Sequence, residues 1–244
     1  ECGAPLNIEE QPPRHSSISE ATRKRVTALF SDLSGYTSMT EKLDPEEVKE
    51  ITSQIFSGVK AIVRKYEGFI EKYAGDGVLA LFGVPKAHED DPIRAIRAAR
   101  EIHALVEALS PRYEIKVGRA LTMHSGINTG LVVTADVNPE KGTHGVTGEA
   151  INVAARLSGL AEARDILVGP DTYRVSQNHF TFQSLKPAKV KGKSEHISIY
   201  KLLSEKTSTA RVSQEMLVSS EMVGRDQELA TLELHILEAV NGQG

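Results

Sequence analysis

Val26-Thr-Ala-Leu-Phe30 runs straight into Asp32, and that junction limits the fold more than any other stretch of the chain. Val26 to Phe30 is β-branched, aliphatic and aromatic, and reads as a buried strand. Ser34-Gly35 then makes a small flexible turn, and a helical pattern begins near Thr37. A carboxylate at the end of a buried strand, beside a turn rich in backbone N–H groups, suits a divalent cation while the turn cradles phosphates. The plainer reading is that Asp32 only caps the next helix.

The following segments decide what lies beside that strand. Asp44-Pro-Glu-Glu47 predicts a helix start, with Asp44 as N-cap, Pro45 in the first turn and Glu47 closing a capping box. Val48, Ile51, Ile55, Ile62, Val63 and Tyr66 recur at helical spacing, and Gly68 is expected to end the helix. Phe69 to Phe82 then holds two strand-like runs around Gly75-Asp76-Gly77, a hairpin signal. Most such turns are only turns. Strand, helix and hairpin in this order, however, bring the strands together in one sheet, so Asp32 and Asp76 stand at neighbouring strand ends. Two carboxylates so placed favour Mg²⁺ or Mn²⁺, with a polyphosphate completing the shell.

A second amphipathic helix is expected from Asp91-Pro92 to Leu109, with Arg94, Arg97 and Arg100 on a solvated face. Pro111 is expected to turn the chain, and Glu114 to Ile127 reads as a strand, followed by a short one from Leu131 to Ala135. Asn138 to Gly145 reads as an exposed loop. Gly148-Glu-Ala-Ile-Asn-Val-Ala-Ala-Arg-Leu157 opens a helix on which Asn152 and Arg156, four apart, share one face. They form either an exposed polar stripe or a donor pair for a sugar and a phosphate oxygen. Ile166 to Val168 reads as a buried strand. Lys189-Val-Lys-Gly-Lys193 lies between strand-like runs, the second spanning Ile197 to Leu203; such lysines decorate a surface or reach an anion.

Composition narrows the class. The 244 residues are 40% hydrophobic and 25% charged, as in an ordinary globular chain, and the net charge of −4 argues against broad nucleic-acid binding. No apolar run reaches the roughly 18 residues of a membrane helix, and no signal peptide is recognised. The one cysteine, Cys2, excludes an intrachain disulfide and fits a cytoplasmic protein. Residues 1–24 read as a tail and linker, with Glu1-Cys-Gly-Ala-Pro-Leu6 similar to the last knuckle of a zinc ribbon. Residues 204–220 read as a second linker.

Leu-Phe-Ser-Asp-Leu-Ser-Gly-Tyr-Thr, Lys-Tyr-Ala-Gly-Asp-Gly, Gly-Glu-Ala-Ile-Asn-Val-Ala-Ala-Arg and Val-Lys-Gly-Lys occur in that order. Together they resemble the catalytic domain of the class III nucleotidyl cyclases, of adenylate type, over residues 25–203. The resemblance implies an α/β (α+β) fold: a ferredoxin-like βαββαβ palm-type sheet with helices on one face and a small C-terminal α/β subdomain. It implies a head-to-tail homodimer with composite sites, and conversion of ATP to cyclic AMP and pyrophosphate with two Mg²⁺ (or Mn²⁺). On this resemblance Asp32 and Asp76 bind the metals, with the Leu33 carbonyl. Gly35, Tyr36 and Thr37 lend backbone N–H groups to the triphosphate. Lys72 reads the purine, Asn152 orients the ribose, Arg156 stabilises the transition state and Lys191 meets the terminal phosphate. Lys72 is a donor only and so favours adenine, whose N1 accepts. Gly145 departs from the pattern, standing where the family has Asp or Thr to meet the adenine amino group. Leu131 stands where some relatives place a phosphate-contacting Arg. The tail from about residue 221 resembles the start of a P-loop ATPase module and stops before any phosphate-binding loop. Two other readings remain: a weak or inactive cyclase-like domain that regulates the adjoining ATPase, and a diguanylate cyclase, whose turn Gly-Asp-Gly echoes.

Overall fold

The computed structural model describes residues 22–134, 146–189, 196–206 and 231. The chain divides into a unit through Lys206 and a second from Thr207 to Gly244, of which only Thr231 is described. In the first unit the elements run β1 (Thr22–Ser34), α1 (Tyr36–Lys42), α2 (Pro45–Lys65), β2 (Phe69–Ala74), β3 (Gly77–Phe82), α3 (Asp91–Val117) and β4 (Thr122–Thr134). They continue β5 (Val146–Thr147), α4 (Glu149–Leu160), β6 (Ile166–Val168), α5 (Pro170–Ser176), β7 (Phe180–Lys189) and β8 (His196–Glu205). One sheet takes all the strands in the order β2-β3-β1-β4-β6-β8-β7, with β5 paired to β4. Every pairing is antiparallel except β4 with β6. The βαββαβ part is β1, α2, β2, β3, α3 and β4. The C-terminal strands extend the same sheet.

The apolar run of β1 is continuous because both faces of the sheet are covered. Leu29 and Leu33 face α2 and α3, joining Ile55, Val59, Ile96 and Ile102 in the main core. Val26 and Ala28 face the other way, into a smaller core with Leu79, Leu81, Ala150 and Ala154. Thus α2 and α3 cover one face of the sheet and α4 the other. Ile55, Ile96 and Ile102 are fully buried, each stabilising the fold by about 1.5–3 kcal/mol relative to exposure.

Several local expectations fail for physical reasons. Asp44 is the N-cap of α2, yet its side chain makes no capping bond. Glu47 bonds Lys116, with Nζ 2.6 Å from Oε1, and also interacts with the Asp44 backbone, so the capping box lacks only the half that the Asp44 side chain would make. At the other end of α2 the left-handed residue is Glu67 (φ 57), not Gly68. Gly68 answers to crowding: a Cβ there would lie 2.6 Å from the Phe82 ring.

Pro111 lies inside α3, and residues 114–117 are helix rather than strand. The proline removes one backbone bond, but Val106, Leu109, Tyr113 and Val117 keep their helical spacing against the main core. Gly118 (φ 76) closes the helix. The strands expected on either side of Gly130 are one strand, because β1 pairs with β4 without a break from Thr22↔Thr134 to Ser34↔Thr122. Arg97 and Arg100 are not simply solvated: both bond to Glu205 of β8, tying α3 to the end of the sheet, and Arg94 holds Asp90 and Glu67. Strand β1 begins inside the segment read as tail, and β8 runs through Glu205 into the segment read as linker.

Candidate active site

The end of β1 brings the two sequence-selected aspartates together. Asp32 pairs with Gly77 on β3 and with His124 on β4. One residue on, the Leu33 N–H donates to the Asp76 carbonyl at 3.0 Å, fastening the β2–β3 turn to β1. Gly75 takes the positive φ (63) that this tight turn needs. Asp32 and Asp76 therefore occupy one end of the sheet because a two-residue hairpin fixes the register beside β1.

The Asp32 carboxylate is held from several sides. Its Oδ2 accepts the Ser158 hydroxyl at 2.6 Å. His124 Nε2 lies 3.9 Å from the same oxygen, and His124 Nδ1 is 2.9 Å from the Ser34 hydroxyl. Oδ1 sits in the space above Gly77, where any Cβ would collide with it. The Asp32 side chain is 29% exposed, so a cation or phosphate has access. Among the described residues no group of three or more His, Cys, Asp or Glu stands ready to hold an ion alone. Two carboxylates with open positions fit a hard, oxygen-ligated divalent cation whose shell a polyphosphate completes.

The turn after β1 is shaped for backbone donors. Gly35 has φ 100 and serves as N-cap of α1, and its carbonyl accepts the Met39 N–H at 3.0 Å. A Cβ at Gly35 would meet nothing closer than 3.4 Å, so the dihedral, not crowding, demands glycine. Tyr36 and Thr37 open α1, where helix geometry leaves N–H groups without intrahelical acceptors.

The remaining expected groups lie on other elements. Lys72 is exposed on the edge strand β2, opposite Leu79 and next to a register shift. Asn152 is exposed on α4, and Arg156 follows one turn later, half-buried, with its Nε lacking a hydrogen-bond partner. The hydrogen bonds and ion pairs of the described residues leave Lys72, Asn152 and Arg156 unconnected to Asp32. Gly145 and Lys191 lie outside the described residues, as do the zinc-ribbon-like start, the loop 138–145 and most of the C-terminal tail. Leu131 is 63% exposed on β4. A cleft of about 370 Å³ opens near the start of α4, lined by Arg25, Asn128, Glu149 and Asp171 among others. Arg25 and Asp32 are seven residues apart on a strand, roughly 23 Å, so this cleft is not the carboxylate site.

Sequence reasoning missed Ser158, His124 and the fit of α4 onto the sheet. Gly126 and Gly130 share one face of β4, and Ala150, Ala154 and Ser158 share one face of α4. A Cβ on Gly126 would collide with Ser158 N and Ala154 O and lie 2.7 Å from the Leu157 carbonyl carbon. A Cβ on Gly130 would lie 3.0 Å from Ala150 Cβ. Glycines inside a strand pattern signal such close approach, so this contact had a sequence signature. Beneath the site, on the other face, His103 Nε2 bonds Ser125 Oγ at 2.8 Å, and Ser125 bonds Ser31 Oγ at 2.7 Å. Burial, with the His124 imidazole nearby, lowers the His103 pKa to about 4.

Comparison with known proteins bears on the family and the fold. The family described as "Adenylate and Guanylate cyclase catalytic domain" matches residues 18–204. An adenylate cyclase of Anabaena cylindrica is 30% identical over 209 residues, covering 82% of this chain and 40% of that protein. Adenylate cyclase 1 of Rhizobium meliloti is 28% identical over 192 residues, covering 78% of this chain and 29% of that protein. The chain thus spans less than half the length of these relatives. Among solved structures, the adenylyl cyclase CyaB from P. aeruginosa superposes with a TM-score of 0.72 at 26% identity, covering 77% of this chain and 98% of that one. The guanylyl cyclase Cya2 superposes with a TM-score of 0.68 at 28% identity, covering 78% and 97%. By family match, fold and motif order, the chain belongs to the class III adenylate and guanylate cyclases, as a catalytic domain.

Proposed function

We propose that this chain is the catalytic domain of an adenylate cyclase, which converts ATP to 3′,5′-cyclic AMP and pyrophosphate at a homodimer interface. The observation that carries the proposal is the meeting of Asp32 and Asp76 at one strand end, while Asn152 and Arg156 on α4 have no bond to that pair. That absence, among the described residues, supports reading the two sets as halves of sites completed by a second protomer. Two protomers arranged head to tail would complete two sites, each taking its aspartates from one chain and Lys72, Asn152 and Arg156 from the other.

Asp32, Asp76 and the Leu33 carbonyl would hold two Mg²⁺ or Mn²⁺ ions, which lower the pKa of the ribose 3′-hydroxyl and offset phosphate charge. The backbone amides of Gly35, Tyr36 and Thr37 grip the triphosphate, and Lys191 meets its terminal phosphate. Asn152 orients the ribose so that its 3′-oxygen faces the α-phosphorus. The new P–O bond forms as the bond to the β-phosphate oxygen breaks; pyrophosphate leaves and the hydroxyl proton passes to solvent. The Arg156 guanidinium, whose Nε has no hydrogen-bond partner, meets charge that grows on the phosphate in the transition state. Lys72 donates to adenine N1, which guanine N1, itself a donor, does not accept. With glycine at position 145, a backbone group, a water or another residue meets the adenine amino group.

The test is cyclic nucleotide production by the purified chain with ATP or GTP and Mg²⁺ or Mn²⁺, over a range of protein concentration. Cyclic AMP from ATP, with specific activity rising with concentration, is expected. Cyclic GMP as the main product would overturn the base assignment. No product from a folded dimer that binds nucleotide would favour a regulatory cyclase-like domain beside an ATPase module.

A further inference from the structure

We propose that Ser158 is a positioning residue that fixes the Asp32 carboxylate in its metal-binding orientation; this rests on reading Asp32 as a metal ligand. Ser158 is 1% exposed, and its hydroxyl donates to Asp32 Oδ2 at 2.6 Å. A serine inside a helix commonly turns its hydroxyl back to the carbonyl four residues earlier. Here it reaches out of α4 to a carboxylate on another element. The bond is charge-assisted and correspondingly short.

Three independent features hold this geometry. Gly126 lets the backbone of α4 press onto β4, which brings the Ser158 main chain close to the sheet that carries Asp32. Gly77 leaves space for Asp32 Oδ1, so the carboxylate has one seat on that side. His124, tethered to Ser34, stands 3.9 Å from Oδ2 on the remaining side. With Oδ2 engaged by Ser158, the carboxylate plane is set and lone pairs on both oxygens remain for a cation. Donors of this kind orient metal ligands, and losing one typically costs about 10- to 100-fold in metal affinity. Ser158 also lies on the helix that carries Asn152 and Arg156. On the composite-site reading those two serve one site while Ser158 serves the other.

The test measures binding of Mn²⁺ to the intact chain in the presence of inorganic pyrophosphate, which completes the cation shell, from the enhancement of water-proton relaxation. Ser158→Ala is compared with wild type and with Ser176→Ala, a buried serine bonded to the Thr172 carbonyl in α5. Ser158→Ala should weaken Mn²⁺ binding at least about tenfold, and raise the Mn²⁺ concentration for half-maximal turnover more than it lowers kcat. Ser176→Ala should leave Mn²⁺ binding at the wild-type level. Wild-type affinity in Ser158→Ala, or equal weakening in both variants, would overturn the assignment of Ser158 alone. A wild-type chain that takes up no Mn²⁺ with pyrophosphate present would overturn the metal role of Asp32, and the role of Ser158 with it.

Discussion

At Gly77 a single missing carbon decides whether Asp32 has a place to sit, since a Cβ there would collide with Oδ1. Arg156 is the other residue on which the account turns, half-buried with its Nε unpaired. Arg156→Ala should leave the dimer intact and lower kcat by about 10²- to 10³-fold with little change in KM; steady-state kinetics beside sedimentation reads both. An unchanged kcat would remove Arg156 from the chemistry. His103 gives a stability prediction. Its folded pKa, near 4, lies below the ordinary value of 6.5, so between those pH values the unfolded chain binds a proton that the folded chain refuses. Stability is therefore lost as pH falls through that interval, by on the order of 3 kcal/mol. His103→Gln removes this loss, so the Tm of the variant should gain on wild type as pH drops from 7 to 4. Parallel pH profiles of the two proteins would refute it. At this scale Asp32, Asp76, Asn152 and Arg156 were legible because their types and spacings carry chemistry. Ser158 and His124 were not: a serine and a histidine acquire meaning only from a carboxylate distant in sequence.

Element α4, only 12 residues long, carries Asn152, Arg156 and Ser158. Its sequence predicts a helix and a polar face, both of which it has. What the sequence reading did not extract is the depth of its packing, set by Gly126 and Gly130 beneath Ala150, Ala154 and Ser158. Gly126→Ala would force backbone atoms of α4 off the sheet. It should destabilise the chain by about 1–3 kcal/mol, read as a lower urea midpoint at unchanged slope, and weaken Mn²⁺ binding along with Ser158→Ala. A variant with wild-type midpoint and wild-type Mn²⁺ affinity would show that this close approach is not needed. Element α3 teaches the opposite lesson. Pro111 is a strong local stop signal, yet the apolar stripe through Val117 overrides it, because burying a further helical turn outweighs one lost backbone bond. The hairpin β2–β3 was legible because its turn and its alternation agree, whereas the ends of α2 were not. Glu47 takes Lys116, distant in sequence, as a partner beside the Asp44 backbone.

In the whole molecule, β1 lies inside a single mixed sheet with β3 on one side and β4 on the other, which carries the carboxylates to one end and α4 across the face opposite α2 and α3. The order of motifs along the chain was enough to anticipate this α/β arrangement. The extension of one sheet through β6, β8 and β7 was less visible, since β6 is only three residues long and joins the sheet by the one parallel pairing. The central claim is that aspartates and arginine act across two protomers. It is tested most directly by mixing two inactive variants, Asp32→Ala and Arg156→Ala. Each homodimer lacks a required group in both sites. After subunit exchange, a heterodimer holds one site with both defects and one intact. Random pairing at equal concentrations then restores about a quarter of wild-type activity. Recovery of cyclic AMP synthesis near that level is the predicted result. A mixture no more active than its components, with exchange shown to be complete, would contradict the composite site.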